Sequence, residues 1–191
     1  MKLILKAVCL AVMAILSGCV TQSGIQSALQ EADQKYQLQN QTLTLSLGER
    51  SFDFNQQQVM KALVTSFGQY NMAVLNIDSD VGYLVAEGDP LVAPEDLKML
   101  AEGHIAYLNE LTEGGNPWRY VGNNMVMRAT VNIFEREDDF VTVKVSFSNK
   151  VSSNAGAVSN AIFSDLLEAM YKNLWADLDK QLFILQETMT E

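Results

Sequence analysis

Few residues of this 191-residue chain are of the types that catalyse reactions or bind metals. His104 is the only histidine, and the chain contains no G-x-S-x-G motif that could supply the serine of a Ser-His-acid triad. The 23 acidic residues would allow a carboxylate pair such as glycosidases use, but the sequence singles out no one pair. Zinc sites usually need several histidine or cysteine ligands, and one histidine with two cysteines falls short of that. We therefore expect no enzyme activity, no catalytic residues, no metal site and no cofactor.

His104 lies in the apolar stripe of a helix that the sequence predicts over residues 94–113. Pro94 suits the first turn of that helix, and the acidic residues after it suit its positive end. A histidine in an apolar stripe is usually a hydrogen-bonded structural residue. We expect that role for His104. The other members of the stripe are Leu97, Ala101, Leu108 and Leu111.

Two acidic stretches could hold a cation, but a turn is the simpler interpretation of each. The densest one runs from Glu135 to Asp139 and also includes Glu137 and Asp138. We predict that it is the solvated tip of a hairpin, with cation binding as the alternative. Asp78 and Asp80 begin like a calcium-binding loop, but the later acidic ligands of such a loop are absent, so we predict a turn there as well.

One aromatic and basic group is a candidate interaction patch. Trp118, Arg119 and Tyr120 follow one another in the chain. Tryptophan, arginine and tyrosine are the residue types that contribute most often to interface hot spots. The alternative is that these residues begin a strand that faces the core.

The first residues have the layout of an export signal. Lys2 and Lys6 are followed by an uncharged run of ten residues, 7–16. A helix of that length rises about 15 Å, half of the hydrocarbon core of a bilayer, so it is too short to span one. Ten apolar residues fit the central region of a signal peptide.

The letters LSGC at residues 16–19 resemble the lipobox of bacterial lipoproteins. The resemblance implies that the thiol of Cys19 receives a diacylglycerol and that residues 1–18 are removed as a lipoprotein signal peptide. Cys9 would be removed with them, so no disulfide could form. The alternative is that Cys19 is a small apolar residue within a signal anchor.

The residue after the cysteine and the net charge bear on location. In enteric-type bacteria an aspartate at this position retains lipoproteins in the inner membrane, so Val20 implies the outer membrane, at its periplasmic face. Cleavage before Cys19 would change the formal charge from −10 to −12. A chain this acidic lacks the Lys and Arg clusters that bind the phosphates of nucleic acid, and anionic lipid repels it. We therefore expect attachment to the membrane through the amino-terminal acyl chains alone.

Composition divides the rest of the chain in two. Residues 19–41 are predicted as the lipidated cysteine and a polar tether, because this stretch holds seven glutamines and no long apolar run. Residues 42–191 are predicted to form a single α+β periplasmic domain. Four residues of the tether recur at helical spacing and leave a short amphipathic helix as an alternative: Ile25, Leu29, Ala32 and Tyr36.

Alternation and helical periodicity predict the elements of this domain. Leu43, Leu45 and Leu47 alternate with polar residues and predict a first strand, which RSFDF at 50–54 would continue. The later predicted elements, in chain order, are a helix after the N-cap Asn55 with a C-terminal cap near Gly68, strands over 72–77 and 81–87, the helix over 94–113 closed by Gly114-Gly115, strands from Met125 to Ile133 and from Val141 to Phe147, and a helix over about 155–186.

This order of elements is typical of an α+β fold in which helices cover one face of an antiparallel sheet. The stretch LFILQ at 182–186 would need a partner if the final helix extends beyond the sheet. Alternation also predicts which residues lie on the uncovered face, namely Arg128, Thr130, Thr142, Lys144 and Ser146.

The pattern from RSFDF through LVAEG at 84–88, followed by a strand pair and a long helix, resembles the helix-grip domains of the C lipoprotein of the outer-membrane β-barrel assembly machinery. The likeness covers about residues 50–185, and the helix inserted at 94–113 departs from it. That family has no catalytic residues to carry over.

The export signal and this resemblance lead to an expected function. We expect a lipid-anchored envelope protein that acts as a non-catalytic protein-interaction or scaffold module and has an envelope protein as its partner. The alternative is a binder or carrier of a small apolar ligand or lipid, held in a cavity between sheet and helices. Met125, Met127 and Met170 would line that cavity. The sequence does not indicate an oligomeric state.

Overall fold

The computed structural model describes residues 27, 30–111, 125–136, 140–150 and 162–189, and the account below concerns these residues. They form four helices and five strands. The elements in chain order are helix α1 over residues 30–47, β1 (Glu49–Phe52), α2 (Gln56–Gln69), β2 (Ala73–Asp78), β3 (Tyr83–Gly88), α3 (Pro94–Leu111), β4 (Val126–Glu135), β5 (Val141–Lys150) and α4 (Ser164–Met189).

The five strands form one antiparallel sheet in the order β1-β5-β4-β3-β2. The hairpin of β4 and β5 is its centre, and Val131 is paired there with Val145. β1 pairs with only the first part of β5, from Val141 to Lys144. The predicted α+β class, with an antiparallel sheet and a long C-terminal helix, is confirmed.

The core lies between one face of this sheet and the helices α2 and α4. Alternate residues of β4 and β5 point to that face, as the two-residue period of a strand requires. Because these strands are long, they place a continuous apolar surface beneath α4, which is also apolar along one side. The buried residues on the two sides are Met127, Ala129, Val131, Ile133, Val143 and Val145 from the sheet, and Leu167, Met170, Leu174 and Leu178 from α4.

Helix α2 begins where the sequence predicts and ends later. The side chain of Asn55 accepts a hydrogen bond from the backbone N–H of Gln58, whose side chain accepts one from the backbone N–H of Asn55. This reciprocal pair satisfies two donors that a helix start leaves open. The helix ends at Gln69, one residue past Gly68, so the predicted end is close, but the C-terminal cap is Tyr70, and Asn71 takes the left-handed conformation with φ of 55°.

Residues 43–47 are helical, so the predicted first strand is wrong. Leu43 and Leu47 are four apart and pack against the core from one side of α1, whereas Leu45 between them is 85% exposed. The spacing of two that suggested a strand was part of a helical spacing of four. Only the continuation of that strand, at Glu49–Phe52, is extended.

Helix α1 also belongs to the folded domain, which corrects the boundary at residue 42. Ala32 and Tyr36 are buried in the core. The indole Nε1 of Trp175 donates a hydrogen bond of 2.7 Å to the carbonyl of Leu47. The amide Nδ2 of Asn40 donates to the carbonyl of Ile162 at 2.6 Å. At least the part of the predicted tether after residue 30 is therefore structural.

Helix α4 starts at Ser164, later than the predicted 155, and its 26 residues span about 39 Å. At the predicted LFILQ end, Leu182 is buried and Leu185 packs against the core. Phe183 and Ile184 point outward and are 61% and 44% exposed. The end of the helix is therefore docked along one side and apolar on the other.

The uncovered face of the sheet combines ion pairs with apolar side chains, among them Phe134, which is 50% exposed. Lys144 forms an ion pair of 3.0 Å with Glu49, and Arg128 pairs with Glu87. Thr142, predicted to be exposed there, is buried instead. Its hydroxyl lies 3.1 Å from that of Ser51 on the neighbouring strand, where β1 covers it.

Candidate functional site

Two depressions border helix α1 on the described surface. One surrounds His104, has a volume of about 210 Å³, and is called here the His104 pocket. The other lies between α1 and strand β5, has a volume of about 710 Å³, and is called the α1–β5 groove. The first contains the only histidine, and the second contains the uncovered part of a sheet edge.

The His104 pocket joins three helices through aromatic contacts. Tyr36 of α1 shares a hydrogen bond of 2.9 Å with Nδ1 of His104, which either tautomer of the ring satisfies. The imidazole stacks on Phe163, with ring centroids 4.9 Å apart and planes inclined by 10°. Tyr107 completes the cluster, and the ammonium of Lys35 lies 4.2 Å above its ring. His104 is therefore a packing and hydrogen-bonding residue, in line with the expected structural role.

The electrostatics of this pocket keep both of its hydrogen-bonded groups neutral. Burial lowers the pKa of His104 from 6.5 to about 4. Burial, followed by the charges of Tyr107, Asp165 and Asp33, raises the pKa of Tyr36 to about 12. A neutral imidazole and a protonated phenol form a stable pair at pH 7. One nitrogen of the imidazole is already engaged in that pair.

The α1–β5 groove has a wall from α1, a floor from β5 and an end formed by the start of α4. Among the described residues that line it, none carries a charge. Its amide and hydroxyl residues are Gln37, Asn40, Gln41, Thr44, Ser148 and Asn149, and its apolar residues are Leu45, Phe147, Ile162 and Leu167. The lining is thus a mixture of neutral hydrogen-bonding groups and apolar side chains.

The floor of the groove is a strand edge that continues past the end of β1. The last backbone hydrogen bond on this side of β5 runs from the N–H of Val145 to the carbonyl of Gly48, the residue before β1, at 2.7 Å. The carbonyl of Val145 points the same way and accepts a hydrogen bond of 3.1 Å from the hydroxyl of Tyr171. Outward-pointing groups recur at every second residue of an antiparallel strand, so those of Phe147 and Asn149 face this edge too.

The side chains of Phe147 and Asn149 form part of the floor of the groove. Phe147 packs edge-on against Tyr171, with ring centroids 5.0 Å apart. The Oδ1 atom of Asn149 is buried and accepts no hydrogen bond within the described part of the chain. A buried amide oxygen without a donor is unfavourable by about 1–3 kcal/mol, so it favours the binding of a donor.

Several predicted site residues lie outside the described ranges. Cys19 and the candidate patch Trp118, Arg119 and Tyr120 are among them, as are the helix-ending Gly114-Gly115 and three acids of the hairpin tip, Glu137, Asp138 and Asp139. Their predicted roles stay predictions.

The acidic turn between β2 and β3 is described, and it forms the predicted turn. Asp78 Oδ1 accepts hydrogen bonds of 3.1 Å from the backbone N–H groups of Asp80 and Val81. This carboxylate therefore closes the turn on itself. Gly82 follows with a φ of +74°, and its carbonyl accepts a hydrogen bond of 2.7 Å from the N–H of Ile133. Among the described residues, no group of three or more His, Cys, Asp or Glu is placed to hold a metal ion.

The methionines predicted to line a ligand cavity are packed in the core. Met127 and Met170 are fully buried, and Met125 packs partly against the same cluster. None of the three lines either depression. The cavity of the alternative function, if it is the α1–β5 groove, is lined by other residues.

Sequence reasoning missed the groove because it assigned its α1 wall to a tether and a strand. One signal could have indicated it. The segment RSFDF has five residues and the alternating run from Val141 to Phe147 has seven, so a sheet that pairs the two must leave part of the longer strand unpaired.

Comparison with protein-family models, with curated proteins and with solved structures found no match for this chain. Within the described residues, none of the helices is both long enough and apolar enough to cross a membrane. The function must therefore be argued from the site itself.

Proposed function

We propose that this protein is a lipid-anchored envelope protein, attached through Cys19 to the periplasmic face of the outer membrane, that acts as a non-catalytic module binding another envelope protein. The observation that carries the proposal is the α1–β5 groove, where a sheet edge runs past its neighbouring strand into an uncharged depression. Unpaired strand edges are surfaces on which other chains pair.

The position of α1 supports the link between anchor and groove. Ten residues separate Cys19 from residue 30, so the two lie at most about 40 Å apart when the chain between them is fully extended. Because α1 packs into the domain core and also forms a wall of the groove, an acyl anchor at Cys19 would keep the groove near the membrane. A partner in the same membrane would then meet it at a high local concentration.

The aromatic contacts of α1 make this attachment stiff. Besides the pairing of Tyr36 with His104, the hydroxyl of Ser164 donates hydrogen bonds to Gln39 and Asn40, at 2.8 and 3.1 Å. A groove whose wall is fixed to the core loses little entropy when it binds a partner. The proposed resemblance to helix-grip domains of an assembly-machinery lipoprotein, which are also non-catalytic, is compatible with this role.

The second candidate function is carriage of a small apolar ligand or lipid. The apolar groups of the groove favour it, since Leu45, Phe147 and Ile162 share this surface. Polar backbone and amide groups alternate with them, and an acyl chain would leave those groups without hydrogen-bonding partners. The proposal of protein binding therefore has the stronger support.

A site-specific crosslinking experiment in cells tests the proposed function. A photo-activatable phenylalanine analogue replaces Leu45, which lines the groove, in the full-length protein. The matched control replaces Leu38, which lies on the same helix outside the groove and is 68% exposed. We expect an adduct with one envelope protein from position 45 and not from position 38. No adduct from position 45, or equal adducts from both positions, would refute the role of the groove.

A further inference from the structure

We infer that the α1–β5 groove binds its partner as an extended, uncharged segment that adds to β5 as a strand at Phe147 and Asn149. This inference rests on the proposed function, because it states the chemistry of the partner in the same groove. Three observations lead to it: the direction of the backbone groups of β5, the neutral lining and the unpartnered amide oxygen of Asn149.

The backbone direction sets how the partner would lie. Val145 directs its N–H and carbonyl away from β4, and the strand period repeats that direction at Phe147 and Asn149. The groups of Val145 are bonded to Gly48 and Tyr171, whereas those of Phe147 and Asn149 have no partner in the described part of the chain. After Val145 the open edge runs from Ser146 to Lys150 and measures about 17 Å, so a segment of about five residues would cover it.

The lining sets the composition of that segment. α1 presents Gln37, Gln41 and Leu45 to the groove, so an arriving side chain meets amides and an aliphatic group there, and no charged residue among the described part of the lining. A charged side chain would lose its hydration there without gaining an ion pair. A segment of uncharged residues that alternates small apolar with polar side chains would match both kinds of lining.

The amide of Asn149 adds a specific contact. Its buried Oδ1 atom has no hydrogen-bond donor in the described part of the chain, and an N–H of the arriving segment would supply one. An acyl chain has no donor to offer this atom or the outward carbonyls of β5. This difference distinguishes a peptide from a lipid in the same groove.

Hydrogen exchange in the free protein gives the first test. The full-length acylated protein in detergent is studied by NMR. We expect the amide protons of Phe147 and Asn149 to exchange at least tenfold faster than those of Val143 and Val145, whose partners lie in β1 and Gly48. Slow exchange at Phe147 and Asn149 without any partner would overturn the inference, because the edge would already be covered.

Peptide selection gives the second test. A display library of random nine-residue peptides is selected on the full-length protein, and binders that also recognise Leu45→Arg are discarded. We expect uncharged, strand-forming peptides whose binding slows exchange at Phe147 and Asn149 at least tenfold. Enrichment of charged peptides, or binding that leaves these two amides unprotected, would overturn the inference.

A matched pair of variants tests the amide of Asn149. Asn149→Leu should weaken the selected peptide about tenfold, and Asn132→Leu, the same change on the uncovered face of β4, should leave the affinity within twofold. Equal affinities for Asn149→Leu and the wild type would contradict the assigned contact. Unchanged circular dichroism and Tm confirm that each variant is folded.

The remaining outcomes separate this inference from the proposed function. If the fluorescent fatty acid 11-(dansylamino)undecanoic acid binds and Leu45→Arg abolishes its binding, the groove takes an apolar ligand and the inference fails. If crosslinks form from position 45 but exchange at Phe147 and Asn149 is unchanged by the bound partner, the proposed function stands and strand addition fails. If no crosslink forms from position 45, both fail.

Discussion

The imidazole of His104 shows how one residue type can suggest catalysis while its surroundings give it another role. It is hydrogen-bonded to Tyr36, stacked on Phe163 and kept neutral by burial. The charged groups near it are Lys35 on α1 and Asp165 on α4, which also line the pocket. The stack and the hydrogen bond join α1, α3 and the start of α4 at one point.

The lowered pKa of His104 predicts a loss of stability in acid. Its pKa is about 4 in the folded chain and 6.5 when unfolded, so the unfolded state binds the proton more readily. The free energy of unfolding should be highest above pH 6.5. It should fall by up to about 3 kcal/mol as the pH decreases through 6.5 to about 4.

Urea unfolding at several pH values, with His104→Phe as the reference, checks this prediction. The variant keeps a ring that can stack on Phe163 and removes the titrating group. The carboxylates titrate in both proteins, so the difference between the two stability profiles isolates the histidine. Profiles that remain parallel from pH 7 to pH 4 would show that His104 is not buried as a neutral group.

A second prediction about a single residue concerns lipid attachment at Cys19, and it rests on the sequence. If the LSGC stretch directs lipid attachment, a palmitate analogue fed to cells should label the wild-type protein and leave Cys19→Ala unlabelled. Cys9→Ala serves as the matched control and should be labelled like the wild type, because Cys9 would be cleaved away with the signal. Equal labelling of wild type and Cys19→Ala would refute the lipobox interpretation.

Among the elements, α2 has the start that can be tested most directly. Asn55 and Gln58 satisfy each other's backbone N–H groups. We expect Asn55→Ala to lower the free energy of unfolding by about 1 kcal/mol, and Asn55→Asp to stay close to the wild type, because aspartate also caps well. Urea titration at pH 7 measures both. A loss from Asn55→Asp as large as that from Asn55→Ala would show that side-chain capping does not account for the effect.

The elements also show where sequence reasoning works in this chain. β4, β5 and α4 were predictable because each repeats one period for at least ten residues. In each of them the period separates an apolar face that is buried from a face that is more exposed. α1 was not, because its exposed face is rich in glutamine and its buried face consists of a few widely spaced residues such as Ala32, Tyr36 and Leu43. Its contacts come from α3 and α4, which lie far away in the sequence.

The groove could not be predicted for a related reason. It exists because β1 pairs with only four residues of the ten-residue strand β5, and because the chain before β1 is helical up to residue 47 and adds no further strand to β5. Strand register and the direction of a helix are properties of the packed domain. The sequence contained the unequal lengths of the two segments, but not the helix that stands beside the uncovered edge.

At the scale of the whole molecule, α1 runs parallel to α4 and holds the two ends of the core together. Thr44 contacts Tyr171, and further along both helices Leu47 accepts the hydrogen bond of Trp175. Near the start of α4, Asn40 bonds Ile162. A segment predicted as a spacer is thereby an integral layer of the domain, so its removal should affect folding as well as attachment.

Two deletions test whether α1 is part of the folding unit. Both keep residues 1–19, so that the predicted export signal and Cys19 are retained. One deletion removes residues 20–29 and the other removes residues 20–47. The shorter deletion takes away residues that precede the described core contacts. The longer one removes Ala32, Tyr36 and the partner carbonyl of Trp175. Burying those side chains contributes several kcal/mol, which is a large share of the stability of a domain this size.

We expect the protein with the shorter deletion to unfold cooperatively near the wild-type Tm. We expect the protein with the longer deletion to be degraded or to lack a cooperative transition. Two proteins with the same Tm would show that α1 is a spacer after all, and would remove the fixed wall on which the groove depends.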